Sequence, residues 1–188
     1  VTDRCNFRCR YCMPEELYGE AYEFLKKDQV LSFEEIVRLT KIFIKLGVNK
    51  VRLTGGEPLV RKNIESLISS ISSLSKNIDL AMTTNGYLLN KFANILFVSG
   101  LKRLTISLDS LDNDIFQKMS GKKFNVDDVL MGISSAKKAG FKNIKINSVI
   151  KKGINDEGII DLVDYCKREG HILRFIEYMD VGTLNSWN

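Results

Sequence analysis

Residues 32–54 read Ser-Phe-Glu-Glu-Ile-Val-Arg-Leu-Thr-Lys-Ile-Phe-Ile-Lys-Leu-Gly-Val-Asn-Lys-Val-Arg-Leu-Thr. Ser32 with Glu35 three residues on is a capping box, in which hydroxyl and carboxylate satisfy the first free N–H groups of a helix. Ile36, Leu39, Ile42, Phe43 and Leu46 follow at helical spacing, and Gly47 is placed to stop the helix. Residues 48–54 are then rich in β-formers. A helix, a glycine and a strand make one unit.

The unit recurs. A helical pattern over 64–74 leads to a strand at 79–83, and 89–98 leads through Gly100 to 104–108. Residues 126–139 lead through Gly140 to 144–149, and 159–167 lead past Gly170 to 172–176. Strands alternating with helices predict βα units on a parallel sheet. A strand before Cys5 would bring the count to six. No linker or low-complexity segment divides the chain, so residues 1–188 read as one domain. Polar or glycine residues gather at the strands' C-terminal ends: Thr54 to Glu57, Thr83 to Gly86, Ser107 with Asp109, Asn147, and Glu177. A barrel collects such ends around one mouth, whereas a doubly wound sheet concentrates them at its switch point. The pattern favours the barrel.

Composition narrows the function. The 188 residues carry 28 basic and 23 acidic side chains, a net charge of +5 that suits a polyanionic small substrate. The lysine pairs are scattered, without the basic stripe and interleaved aromatics of a nucleic-acid binder. No apolar run reaches the roughly 20 residues of a membrane span, and no signal-peptide pattern is present. Free clustered thiols fit a reducing cytosol, so a cytoplasmic location is expected.

Those thiols lie in Cys5-Asn6-Phe7-Arg8-Cys9-Arg10-Tyr11-Cys12, which holds three of the chain's four cysteines. Clustered thiolates select iron–sulfur clusters, zinc or copper(I). A closed zinc site wants four ligands, and an ordinary iron–sulfur cluster takes four cysteines. Three thiolates on a 4Fe-4S cluster leave one iron open to a small molecule. Three other readings compete: a disulfide, zinc completed by Cys166 or His171, and a cluster kept for electron transfer alone. Cys166 itself reads as a small buried apolar residue of the last helix, and His171 as a bystander.

The Cys5–Cys12 spacing, with an aromatic before the last cysteine, resembles the cluster loop of radical S-adenosylmethionine enzymes. VTDRCNFRCRYCMP, with TGGEP, TTNG, SLDS and RFIEYMDVG further on, resembles the GTP 3′,8-cyclase family of molybdenum cofactor biosynthesis. The resemblance implies an α/β fold of the partial, open TIM-like (β/α)6 barrel type. It implies that Cys5, Cys9 and Cys12 bind a 4Fe-4S cluster and that Tyr11, Gly56, Glu57, Ser107 and Met179 contact S-adenosylmethionine. Arg52, Thr83 and Lys145 match positions that bind GTP. Residues alone leave Arg52 and Lys145 open to two placements, since each lies in an apolar strand and would face either the barrel interior or the surface. Inside, they would clamp phosphates.

The family also carries an arginine on the first strand and a second 4Fe-4S cluster in a C-terminal extension. Neither falls within residues 1–188, so the first strand is expected to be partly missing and the second-cluster region absent. An electron donor and a downstream enzyme of the cofactor pathway are the implied partners. Two alternatives remain: a radical enzyme acting on another substrate, such as a peptide maturase, and a non-catalytic zinc or iron–sulfur scaffold.

Overall fold

A computed structural model describes residues 1–179 of the chain. The Asp180-Val181-Gly182 end of the RFIEYMDVG string lies outside the described residues. A short helix, α1 (Glu15–Tyr18), follows the cysteine loop, and α2 (Phe33–Lys45) opens the first repeating unit. The capping box closes as the sequence predicts. Ser32 Oγ accepts from the Glu35 N–H at 3.1 Å, and the Ser32 N–H donates to Glu35 Oε2 at 2.7 Å. Then follow β1 (Lys50–Leu53), α3 (Ile64–Ser72), β2 (Asp79–Thr84), α4 (Leu89–Val98) and β3 (Arg103–Ser107). The remainder comprises α5 (Asn113–Ser120), α6 (Val126–Ala139), β4 (Lys145–Ile150), α7 (Ile159–Glu169) and β5 (Ile172–Glu177).

The five strands form one parallel sheet in the order β1-β2-β3-β4-β5. This order decides between the two architectures. Right-handed crossovers that always step the same way put every helix on one side of the sheet. A doubly wound sheet instead reverses direction and covers both faces. The result here is the open, partial barrel. Outward-facing Leu80, Met82, Leu104, Ile106 and Ile146 are buried beneath the helices, against residues such as Leu67, Leu96 and Val129. The alternate positions face inward, and register aligns Thr83, Thr105 and Lys145 in one row across β2, β3 and β4.

The described residues hold five strands rather than six. Residues 1–4 lie beside the end of β1, where the Gly56 N–H donates to the Thr2 carbonyl and the Glu57 N–H to the Arg4 carbonyl, each at 2.8 Å. They reach the loop after β1 and not its ladder, so no strand is counted there. Helix α5 was not anticipated, because its eight residues are mostly polar. Its ends were nevertheless marked: Asp112 Oδ1 accepts from the Ile115 N–H at 2.9 Å, and Gly121 takes the left-handed cap at φ 69°.

Ile106 lies at the centre of the outer face with no exposed area. Ile106→Ala is expected to cost about 2–5 kcal/mol. Chemical denaturation checks this as a lower midpoint at unchanged slope.

Candidate functional site

The cysteine loop crosses the mouth at the strands' C-terminal ends. Phe7 anchors it. The ring is buried, stacks on Phe124 at 5.1 Å between centroids and meets Phe116 and Tyr87 edge-on. Arg8 then holds the turn, donating from Nε to the Tyr18 carbonyl and from Nη1 to the Cys5 and Phe7 carbonyls, all at 2.8 Å. Cys5, Cys9 and Cys12 are all free thiols, Cys12 exposed and the others half-buried. The disulfide reading therefore fails. So does the zinc reading that borrows Cys166 or His171. Cys166 is buried in α7 and His171 precedes β5 at the sheet's opposite end, so neither stands beside the cysteine loop as a fourth ligand.

Burial raises all three thiols above their ordinary value, most of all Cys9. Thiolates would form only as a metal arrives, so ligation would release protons. A donor set is already in place. The Phe7 N–H points at Cys5 Sγ from 3.4 Å, and the neighbouring Asn6 Nδ2 is buried without a hydrogen-bond partner. An orphaned buried donor of this kind calls for an acceptor. Sulfide and thiolate sulfurs supply one. Three thiols on one loop, with an unspent donor beside them, fit an iron–sulfur cluster.

Glu57 sits beneath this loop with 1% of its surface exposed. Its Oε1 accepts from the Leu59 N–H at 2.9 Å and the Thr84 hydroxyl at 2.8 Å, while Oε2 accepts from the Asn85 N–H at 2.7 Å. Burial still raises the carboxyl above its usual range, against those three donors. Gly55 and Gly56 are glycines because the chain is crowded there. A Cβ on either would overlap a backbone carbonyl, Thr2 for one and Arg4 for the other.

Tyr11 and Asp109 close the other side. The Tyr11 hydroxyl donates to Asp109 Oδ2 at 2.6 Å, and Asp109 Oδ1 accepts from the Val149 N–H at 2.9 Å. Asn155 Nδ2 donates to the Asp109 carbonyl at 2.8 Å, which ties in the loop after β4. Ser107 joins Cys9, Tyr11 and Asp109 around a small cavity of about 30 Å³. Met179 follows β5 and is exposed. Sequence reading placed Asp109 and Asn85 among the polar strand ends but gave them no partners.

On the inner face, Arg52 Nη1 donates to the Thr83 hydroxyl at 2.8 Å and the Thr105 hydroxyl at 3.1 Å. Two residues singled out by sequence are thus in contact, and Lys145 lies beside Thr105 in the register. The interior placement of Arg52 is settled, and Lys145 shares its face. Burial lowers the Arg52 pKa, as do the neighbouring Arg103 and Arg174.

The chain belongs to the Radical SAM superfamily, whose family profile matches residues 1–166. It is 49% identical to a GTP 3′,8-cyclase of Staphylococcus haemolyticus over 188 residues, all of this chain and 55% of that protein. A GTP 3′,8-cyclase of Acidothermus cellulolyticus is also 49% identical, over 187 residues and 52% of its length. The chain thus spans about half the length of these relatives. Among solved structures it resembles methylornithine synthase (PylB), with a TM-score of 0.74 at 17% identity over 95% of this chain and 51% of that one. The AdoMet-bound anSMEcpe structure gives 0.73 at 18% identity over 95% of this chain and 48% of that one. Both show the shared fold.

One pH dependence follows from this geometry. Burial pushes the Asp109 carboxyl from 3.8 up to about 6, against the hydrogen bonds from Tyr11 and Val149. A carboxylate with a raised folded pKa costs stability once ionised. Stability should fall as pH rises from about 4 to 6, by about 3 kcal/mol from this group. Asp109→Asn should remove that fall, read as the difference between the two proteins' denaturation curves across this range.

Proposed function

We propose that the chain is the radical core of a GTP 3′,8-cyclase of molybdenum cofactor biosynthesis, working in the cytoplasm. The observation that carries the radical half is the trio of free thiols on one braced loop at the barrel mouth, beside an unpartnered buried donor. Cys5, Cys9 and Cys12 would hold a 4Fe-4S cluster. When bound, the cluster supplies one electron to S-adenosylmethionine, whose cleavage yields the 5′-deoxyadenosyl radical that opens the reaction on GTP.

The chain's own residues bind, orient and exclude water. The Gly55-Gly56 turn, packed against residues 1–4, would present its backbone carbonyls to the cofactor. Gly56 and Glu57 would receive the cofactor's ammonium, through backbone carbonyls and the negative field of the buried carboxylate. Tyr11, held by Asp109, would fix the loop's face toward the cofactor, and Ser107 would bond its ribose or carboxylate. Met179 offers a polarizable surface for the adenine. Arg52, steadied by Thr83 and Thr105, would meet the GTP phosphates with Lys145. No general acid or base is assigned, since hydrogen-atom abstraction needs none.

What supports GTP as substrate is the combination of this cationic inner face with relatives that share nearly half of the sequence. The family resemblance adds a second 4Fe-4S cluster outside residues 1–188, an electron donor, and a downstream enzyme that takes the product.

Anaerobic reconstitution should load about four irons per chain, and Cys9→Ala should abolish that uptake. Dithionite with S-adenosylmethionine should then release 5′-deoxyadenosine, and a cluster-loaded protein that releases none would sink the radical reading. GTP binding measured by calorimetry should weaken about tenfold or more in Arg52→Ala or Lys145→Ala, the loss of a charge-assisted bond. Indifference of the protein to GTP would move the assignment to another substrate.

A further inference from the structure

We propose that Asn85 is a positioning residue that registers Cys5 against the Glu57 loop and tunes the electron affinity of the cluster that Cys5 would hold. This rests on the three-thiolate reading above. Asn85 stands just past β2, and its backbone N–H, Oδ1 and Nδ2 are each spent in a different direction. Its backbone N–H donates to Glu57 Oε2 at 2.7 Å. Its Oδ1 accepts from the Tyr87 N–H at 3.1 Å. Its Nδ2 donates to Asn6 Oδ1 at 2.8 Å and stands 3.9 Å from Cys5 Sγ.

The bond from Tyr87 fixes which way the amide faces. Only the oxygen can accept that N–H, so the amino group must turn toward Asn6 and the sulfur. Two donors, the Phe7 N–H and Asn85 Nδ2, therefore converge on one ligand atom. A cluster becomes more negative when it takes an electron, and hydrogen bonds to its sulfurs stabilise that state and raise the potential. Such outer contacts also fix where the ligand points. The same residue reaches Glu57, so one side chain and its own backbone set the spacing between the cysteine ligand and the Gly55-Gly56 turn. A purely structural asparagine would need the Glu57 and Tyr87 bonds alone.

Asn85→Ser separates the two roles. It keeps the backbone bond to Glu57 and offers Tyr87 an oxygen, but it removes the donor to sulfur. Asn85→Asp keeps the shape and puts an acceptor where the donor stood. In the anaerobically reconstituted protein, both variants should take up iron as the wild type does. Their cluster midpoint potential, read by spectroelectrochemistry, should fall in Asn85→Ser and fall further in Asn85→Asp. The EPR change on adding S-adenosylmethionine should differ from wild type, and 5′-deoxyadenosine release should slow about tenfold or more. A wild-type potential and EPR response in Asn85→Ser would overturn the proposal. Failure of the wild type to assemble a cluster would overturn the three-thiolate reading and this inference with it. A normal wild-type cluster with an unmoved potential in Asn85→Ser would defeat this inference alone.

Discussion

A buried carboxylate organises the mouth of this barrel. Glu57 arrives from β1 with 1% exposure, and its oxygens gather N–H and O–H groups from its own loop and from the end of β2. Burial works against the charge, and three donors work for it. Removing one partner would leave an expensive unsatisfied group. The loop after β1 is held in one position as a result, and its backbone then receives residues 1–4 through the Thr2 and Arg4 carbonyls. The cysteine loop begins where that contact ends. Placement of the thiols is thus a consequence of an acid that touches none of them.

On the far side, Asp109 performs the matching task with a different balance. It has two donors rather than three, and burial carries its carboxyl up to about 6. Tyr11 and Val149 reach it from the cysteine loop and from β4, so the loop is pinned at both ends to the rim of the sheet. Between the two acids lies the row of cysteines. A loop held this way loses little further entropy when a ligand arrives, which is where preorganisation helps binding.

Much of this was readable before any coordinates. Capping box, glycine stops and β-rich runs are local signals, and helices α4 and α6 fall where the sequence puts them. The barrel was legible because polar residues end nearly every strand. Helix α5 escaped because only Ile115, Phe116 and Met119 break its polar run, too few to announce a period. The partners of the site residues escaped for a different reason. Tyr11 and Asp109 are 98 positions apart, and Cys5 and Asn85 are 80 apart. No local propensity encodes such a pair. The direction of Arg52 was equally hidden, since a strand of alternating faces reads the same until its register is known.

The inner face shows what that register decides. Arg52, Arg103, Lys145 and Arg174 all project to the concave side, where β-sheet register sets them in adjoining rows. Arg103 is paired with Asp79 at 2.6 Å, and Arg174 leans on the neutral Asn147 at 2.7 Å. Among the described residues Arg52, Lys145 and Arg174 form no ion pair. Burial is the main reason the Arg52 pKa is lowered, and the like charges of Arg103 and Arg174 lower it further. Folding alone gains nothing from the arrangement, because apolar residues of similar volume would pack there without the repulsion. Under the proposed function, a polyphosphate would relieve that repulsion on entering and would lie along the cationic face below the rim that carries the thiols.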